Sequence, residues 1–134
     1  LEKEVNWPDE AAFPKSLQEE VFIKHLKGPL FFGSTSEFQQ MADQIPRTAS
    51  TVIIRMGRMQ YMDQSGLYTL EDVLISLRKS GINVLFVEVL KQPRYMMERV
   101  GVIPDLIPDE HIFESFDECL MWVKANVKDK YPSN

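Results

Sequence analysis

The sequence predicts an α/β sandwich with a mixed, mainly parallel sheet, an initial β-hairpin and about four α-helices. Three observations predict it. The runs Val52-Ile53-Ile54 and Val84-Leu85-Phe86-Val87 are apolar almost throughout, as strands covered on both faces tend to be. Each run is followed by a stretch with helical spacing, and an intervening helix is the usual connection between parallel strands. Two stretches, Ser34-Thr35-Ser36-Glu37 and Ser115-Phe116-Asp117-Glu118, fit capping boxes, which fix where helices start.

Taken in order, residues 1–19 set Trp7-Pro8 and Phe13-Pro14 among charges without a sustained period. They read as a linker or extended arm, with a loosely held arm as the plain reading and docking of the two aromatics, on the domain or on whatever precedes Leu1, as the alternative. Val21–Leu26 is strand-like, with His25 as a strand-face residue. Lys27-Gly28-Pro29 is a turn signal, and Leu30-Phe31-Phe32 is a second apolar run, so a hairpin is expected. Ser34 then caps a short helix bearing Phe38, Met41, Ala42 and Ile45 on one face, stopped before Pro46. After the strand that begins at Thr51, the turn Asp63-Gln64-Ser65-Gly66 opens a helix with Leu67, Leu70, Val73, Leu74 and Leu77 on one side. Gly81 stands where a helix C-cap is expected.

A strand over Asn83–Val89 follows, then a helix with Pro93 in its first turn, running to about Val100 and capped by Gly101. Ile103–Pro108 is a proline-broken connection and Ile112-Phe113 a short edge strand. The last helix aligns Phe116, Cys119, Leu120, Val123 and Val127. The domain proper therefore spans residues 20–127, with a polar tail at 128–134.

Bulk properties narrow the function. A chain of 134 residues makes one domain with one core. The balance of 15 basic and 20 acidic residues, a net charge of −5, argues against nucleic acid as a partner. No segment has the apolar length of a membrane span and the N-terminus lacks a signal-peptide pattern. A first residue other than methionine suggests a piece of a longer protein. The single cysteine, Cys119, leaves no internal disulfide and lies on a predicted buried face, as a core residue rather than a nucleophile.

No dinucleotide or P-loop fingerprint is present, and no His/Cys spacing suits a metal. His111 reads as a solvated surface residue. No cofactor, metal or catalytic activity is expected. The Asp63–Gly66 turn is the one candidate site. The amides and dipole at a helix start favour an anion, and a hydroxyl there tolerates phosphorylation. Its purely structural reading makes Asp63 the N-cap, accepting from the amides of Ser65 and Gly66, and Gly66 a concession to close helix–sheet packing. Because the carboxyl ends of neighbouring parallel strands meet at one edge, Lys91 and Arg94 are expected near Ser65 as cations for a phosphate or an acidic segment. Their plain reading is solvated charge at a helix start.

Asp63-Gln64-Ser65-Gly66-Leu67 after a strand, the long helix, and then Val84-Leu85-Phe86-Val87 together resemble a STAS domain over roughly residues 20–127. The segment Gly28-Pro29-Leu30-Phe31-Phe32-Gly33 and the run Phe113–Leu120 are similar to the C-terminal cytoplasmic STAS domain of SulP-type anion transporters. The resemblance implies a STAS-like sandwich. It implies a non-catalytic regulatory and interaction domain on the cytoplasmic face of the inner membrane, with residues 1–19 leading from an absent membrane domain. Its expected partners are that membrane domain and a soluble protein. In the free-standing anti-sigma-factor antagonists, the other branch of the family, the serine before the glycine is the phospho-acceptor, which corresponds to Ser65. The preceding position, often serine there, is Gln64 here.

Overall fold

The computed structural model describes residues 4–30 and 35–128. Four strands form one sheet in the order β1 (Val21–Lys27), β2 (Thr51–Arg58), β3 (Asn83–Val87), β4 (Ile112–Phe113), and every pairing is parallel. The α-helices are α1 (Thr35–Gln39), α2 (Met41–Gln44), α3 (Gln64–Lys79), α4 (Lys91–Arg99) and α5 (Phe116–Asn126). The expected neighbours Val52 and Val84 are direct partners in the β2–β3 ladder.

The α/β class and parallel core agree with the sequence reading, but the hairpin does not. Gly28, with φ 78°, turns the chain off β1, and its N–H still donates to Arg58 O at 2.9 Å. Leu30 then runs parallel to the stretch after β2 and bridges Met62 instead of folding back on β1. A Gly-Pro signal fixes a change of direction and says nothing about which neighbour the chain then meets. Phe31, Phe32 and the Ser34 cap lie outside the described residues. The helix that follows is two pieces, α1 and α2, meeting at Gln40.

Period-2 alternation divides the core into two faces. Val52, Ile54 and Met56 of β2 point to the side covered by α3 and α4, where Leu67, Leu70 and Leu74 are buried. Ile53 points to the opposite side, against Leu85, Val87 and the Phe116, Cys119, Leu120, Val123 face of α5. This second layer also takes Phe13 and Leu17, so the stretch before residue 20 belongs to the core and is not a loose arm. Two single 3₁₀ turns, Pro8–Glu10 and Lys15–Leu17, hold its shape. Burial pushes the Cys119 thiol up to about 12, against the weaker pull of Arg55, which leaves it an inert core residue.

Helix starts follow their signals. Ser115 Oγ accepts from Glu118 N–H at 3.2 Å, and α4 carries Pro93 in its first turn with Gly101 at φ 80° beyond its end. Strand β3 stops at Val87, two residues short of the expected end, because Glu88 takes φ 61°. That left-handed conformation costs a side-chain-bearing residue about 1–2 kcal/mol, and extended pairing cannot continue through it.

Leu120 is 6% exposed in the layer between α5 and the sheet. Leu120→Ala is expected to cost about 2–5 kcal/mol in urea unfolding. A loss under about 0.5 kcal/mol would mean that this helix face is not packed as described.

Candidate functional site

Three connections meet at the carboxyl edge of the sheet: residues 28–30 after β1, 59–66 after β2, and 88–92 after β3. Their meeting point is Met62, fully buried. Leu30 N–H donates to Tyr61 O at 2.9 Å and Asp63 N–H donates to Leu30 O at 3.1 Å, which forms the parallel bridge across Met62. From the other side Gln92 closes on Met62. Its Oε1 accepts from Met62 N–H and its Nε2 donates to Met62 O, both at 2.9 Å. One side-chain amide thus joins the start of α4 to the start of α3.

On this frame Asp63 is the N-cap of α3, its Oδ1 accepting from Gly66 N–H at 2.7 Å. Gly66 is demanded by packing. A Cβ on it would stand 2.3 Å from Leu30 O, a contact no side chain sustains. The structural reading of Asp63 and Gly66 therefore holds in full for Gly66, and for Asp63 through that one amide. Ser65 stands free of these duties. It is exposed, and among the described residues its only side-chain partner is Thr69, whose hydroxyl donates to Ser65 O at 3.0 Å. Lys91 is exposed and Arg94 half-buried. Gln92, between them in the chain, ties the start of α4 to Met62, and among the described residues neither cation is in an ion pair. Tyr61 and Tyr68, 50% and 47% exposed, add aromatic surface on either side of Ser65 in the chain, with Tyr68 Oη accepting from Gln64 Nε2 at 2.7 Å. The sequence reading passed over both tyrosines, although neither falls on the apolar spacing of the core.

The other face of the sheet holds a buried charge cluster that the sequence reading also missed. Arg55, 1% exposed, lies in the middle of β2 beside its register partner His25. Its guanidinium forms a two-pronged pair with Asp9, through Nη1 to Oδ1 and through Nη2 to Oδ2 at 2.7 Å. Nη1 also reaches Glu10 Oε2 at 3.0 Å and Nη2 reaches Glu88 Oε1 at 3.1 Å. The rings of Trp7 and Phe116 each lie 4.7 Å from the guanidinium carbon.

Around His25, Nδ1 is 3.0 Å from Glu4 Oε1 and Nε2 is 2.6 Å from Glu10 Oε2. The Glu4 carboxylate also accepts from the His25 main-chain N–H at 2.6 Å and pairs with Lys24 at 3.3 Å. Burial opposes the charge on Arg55, but its carboxylate partners outweigh burial and raise its pKa. Hydrogen bonding from Arg55 holds Asp9 below the usual carboxylate range. Glu4 and Glu10 are also held low, since hydrogen bonds led by His25 outweigh the burial that opposes ionisation. A cation inside an apolar strand run is itself a signal, because a buried guanidinium must be paired, and the acidic stretch Glu4–Glu10 stood ready to pair it.

Among the described residues no group of His, Cys, Asp or Glu is arranged to hold a metal ion, and no helix is long and apolar enough to cross a membrane. Gly66→Ala is expected to destabilise the domain by about 1–3 kcal/mol despite alanine's better helix propensity, because Leu30 is held at its main chain. Ser65→Ala should stay within about 0.5 kcal/mol of the parent. Equal stability of all three chains in urea would mean that the Leu30–Gly66 contact is absent in solution.

The family model described as "STAS domain" matches residues 13–119. The protein named "Putative sulfate transporter YvdB" of Bacillus subtilis (strain 168) is 26% identical over 94 residues, which is 69% of this chain and 18% of that protein. The chain therefore spans under a fifth of that relative's length. A sulfate transporter family protein from Wolinella succinogenes superposes with a TM-score of 0.75 and 26% identity, over 92% of this chain and 97% of that one. The SulP transporter STAS domain from Vibrio cholerae gives 0.69 and 25%, over 81% and 84%. The unphosphorylated anti-sigma factor antagonist SpoIIAA shares the fold alone, with a TM-score of 0.57 and 13% identity over 82% and 94%. With the family model covering both the Leu30 bridge and the Asp63–Gly66 turn, the chain belongs to the STAS domain family.

Proposed function

We propose that this chain is the cytoplasmic STAS domain of a sulfate-permease-type anion transporter, a non-catalytic module that modulates transport by contacting the membrane domain and a soluble partner. The observation that carries the reading is the likeness to a sulfate transporter family protein across nearly the whole of both chains, beside the likeness to a SulP transporter STAS domain over about four fifths of each. The structure adds a physical link between two motifs. The Gly28-Pro29-Leu30 segment, which resembles the transporter branch, is the segment that receives Asp63 N–H and packs against Gly66. The edge built by Ser65, Lys91 and Arg94 is the contact surface in this proposal. It offers a hydroxyl at a helix start and two cations that form no ion pair among the described residues. The anion itself is bound by a membrane domain, and sulfate is the substrate suggested by the relatives' names.

A second reading, a free-standing antagonist switched by phosphorylation at Ser65, is favoured by the exposed hydroxyl and by the shared fold. Fractionation of the full-length protein separates the two, since the transporter reading requires it in the membrane and the antagonist reading in the soluble fraction.

Within the full-length transporter, Ser65→Asp and the pair Lys91→Glu with Arg94→Glu should leave the circular dichroism spectrum of the domain unchanged. Each should alter anion uptake by about fivefold, the lower end of ordinary allosteric coupling. Unaltered uptake with both variants expressed at normal levels would sink the proposal for this edge.

A further inference from the structure

The charge cluster around His25 lies on the face of the sheet opposite α3 and meets the connections at the carboxyl edge through Glu88. Its geometry sets a condition on the ring. A neutral imidazole has one N–H and one lone pair, whereas an ionised carboxylate only accepts. Both ring nitrogens of His25 face carboxylate oxygens, at 3.0 Å for Glu4 and 2.6 Å for Glu10. The His25 side chain is 1% exposed, so water cannot enter to satisfy a lone pair turned towards a carboxylate. Lys24 on Glu4 and Arg55 on Glu10 keep those acids ionised, so the missing protons belong on the ring. The arrangement is complete only with an imidazolium.

We propose that residues 4–6 form a pH-gated strap, clamped over Lys24 and His25 of β1 while the His25 ring carries both protons and released when it loses one. The groups facing the ring come from every neighbouring element. The strap and the turn after it supply Glu4, Asp9 and Glu10, β1 supplies Lys24, β2 supplies Arg55, and Glu88 reaches in after β3. With His25 charged, three cations (Lys24, His25, Arg55) meet four carboxylates (Glu4, Asp9, Glu10, Glu88), and deprotonation leaves two cations against four.

Release stops at Trp7, because Arg55 does not titrate, keeps Asp9 and Glu10 in place and lies 4.7 Å from the Trp7 ring, while Trp7 N–H donates to Glu10 Oε1 at 3.2 Å and Glu10 N–H to Trp7 O at 2.9 Å. The apolar anchors Phe13 and Leu17 are untouched by pH. Trp7 is the hinge-side cover. Its ring centre is 4.8 Å from that of His25, and Arg58 lies 4.0 Å from it on another side. Any segment preceding this strap in a longer chain is tethered through it, and three freed residues let that tether move by at most roughly 11 Å.

The direction of the pH dependence follows. Burial disfavours the charged ring, but the hydrogen bonds from Glu10 and Glu4 outweigh it and raise the His25 pKa above its ordinary 6.5. The clamp is therefore fully present below 6.5 and is lost as pH rises through the raised value. The lowered carboxylates give the opposite limb. Their contribution is present above their ordinary values of 4.5 for Glu4 and Glu10 and 3.8 for Asp9, and is lost as pH falls through the depressed ones. The strap is held tightest between these limbs.

The test uses the whole chain with Trp122→Phe, which removes the tryptophan that meets His111 edge-on and leaves Trp7 as the sole tryptophan. Acrylamide quenching of Trp7 emission should rise about twofold or more on going from about pH 5.5 to 9, in one titration centred above 6.5. In His25→Gln the quenching should not vary with pH. A flat profile in the His25 chain, or the same rise in His25→Gln, overturns the proposal. Nitrogen-15 spectra of the parent chain need no variant and decide the matter if His25→Gln does not fold. His25 should show two ring N–H groups below the midpoint and one above it, and a single ring N–H throughout the range overturns the proposal.

Discussion

The pairing of Arg55 is the constraint on which much of the structure depends. A guanidinium 1% exposed in a central strand would be ruinous if left alone, because the desolvation of an unpaired charge costs several kcal/mol. Its satisfaction draws on chain segments far apart in sequence. Asp9 and Glu10 come from the N-terminal stretch and Glu88 from the end of β3, while the rings of Trp7 and Phe116 close over the ion. This one group therefore explains why the N-terminal stretch packs where it does, and gives the left-handed Glu88 a partner that offsets its backbone cost. The resulting ion network fixes position more than it adds stability, since two apolar side chains in its place would be comparably favourable.

The opposite face is organised by main-chain geometry instead of charge. Met62 is bridged by Leu30 on one side and held by Gln92 on the other, so three connections are locked to one another by six named backbone groups and one amide side chain. Ser65 is displayed from a frame that is itself rigid, and Gly66 is the contact that lets the frame close. A surface for a partner benefits from this arrangement, because groups held before binding lose little conformational entropy on binding. The two faces thus divide the labour, one holding the N-terminal segment and the other presenting the candidate contact edge.

Much of this was legible in the sequence. Apolar runs with helical stretches between them gave the parallel sheet, and the capping signals at Asp63 and Ser115 and the Pro93 and Gly101 punctuation placed helix ends closely. What escaped was long-range. Whether Gly28-Pro29 leads to a hairpin or to a parallel bridge depends on Met62, which lies over thirty positions away. The end of β3 depends on Glu88 reaching Arg55, again a tertiary reward for a locally poor conformation. Trp7 and Phe13 lack periodicity, so nothing local tied them to the core. The Arg55 cluster was readable in principle from a charge within an apolar run and an acidic stretch to match it, but its geometry was not. At the candidate site, Asp63 and Gly66 had their local roles written in the motif, while the tie between the starts of α3 and α4 rests on Gln92, a residue the motif does not single out.

The most direct measurement is the stability of Arg55→Met in the intact chain, followed by urea unfolding near neutral pH together with hydrogen exchange at the Glu10 and Phe13 amides. If the guanidinium holds the N-terminal segment to the sheet, the substitution takes one of two cations from the buried Glu10 and the partner from the half-exposed Asp9 and Glu88, and costs about 3 kcal/mol, the low end for breaking a buried pair. Those two amides, which donate to Trp7 O and Glu10 O, then lose protection ahead of the β2 amides. Stability within about 0.5 kcal/mol of the parent, with both amides as protected as before, would contradict the account.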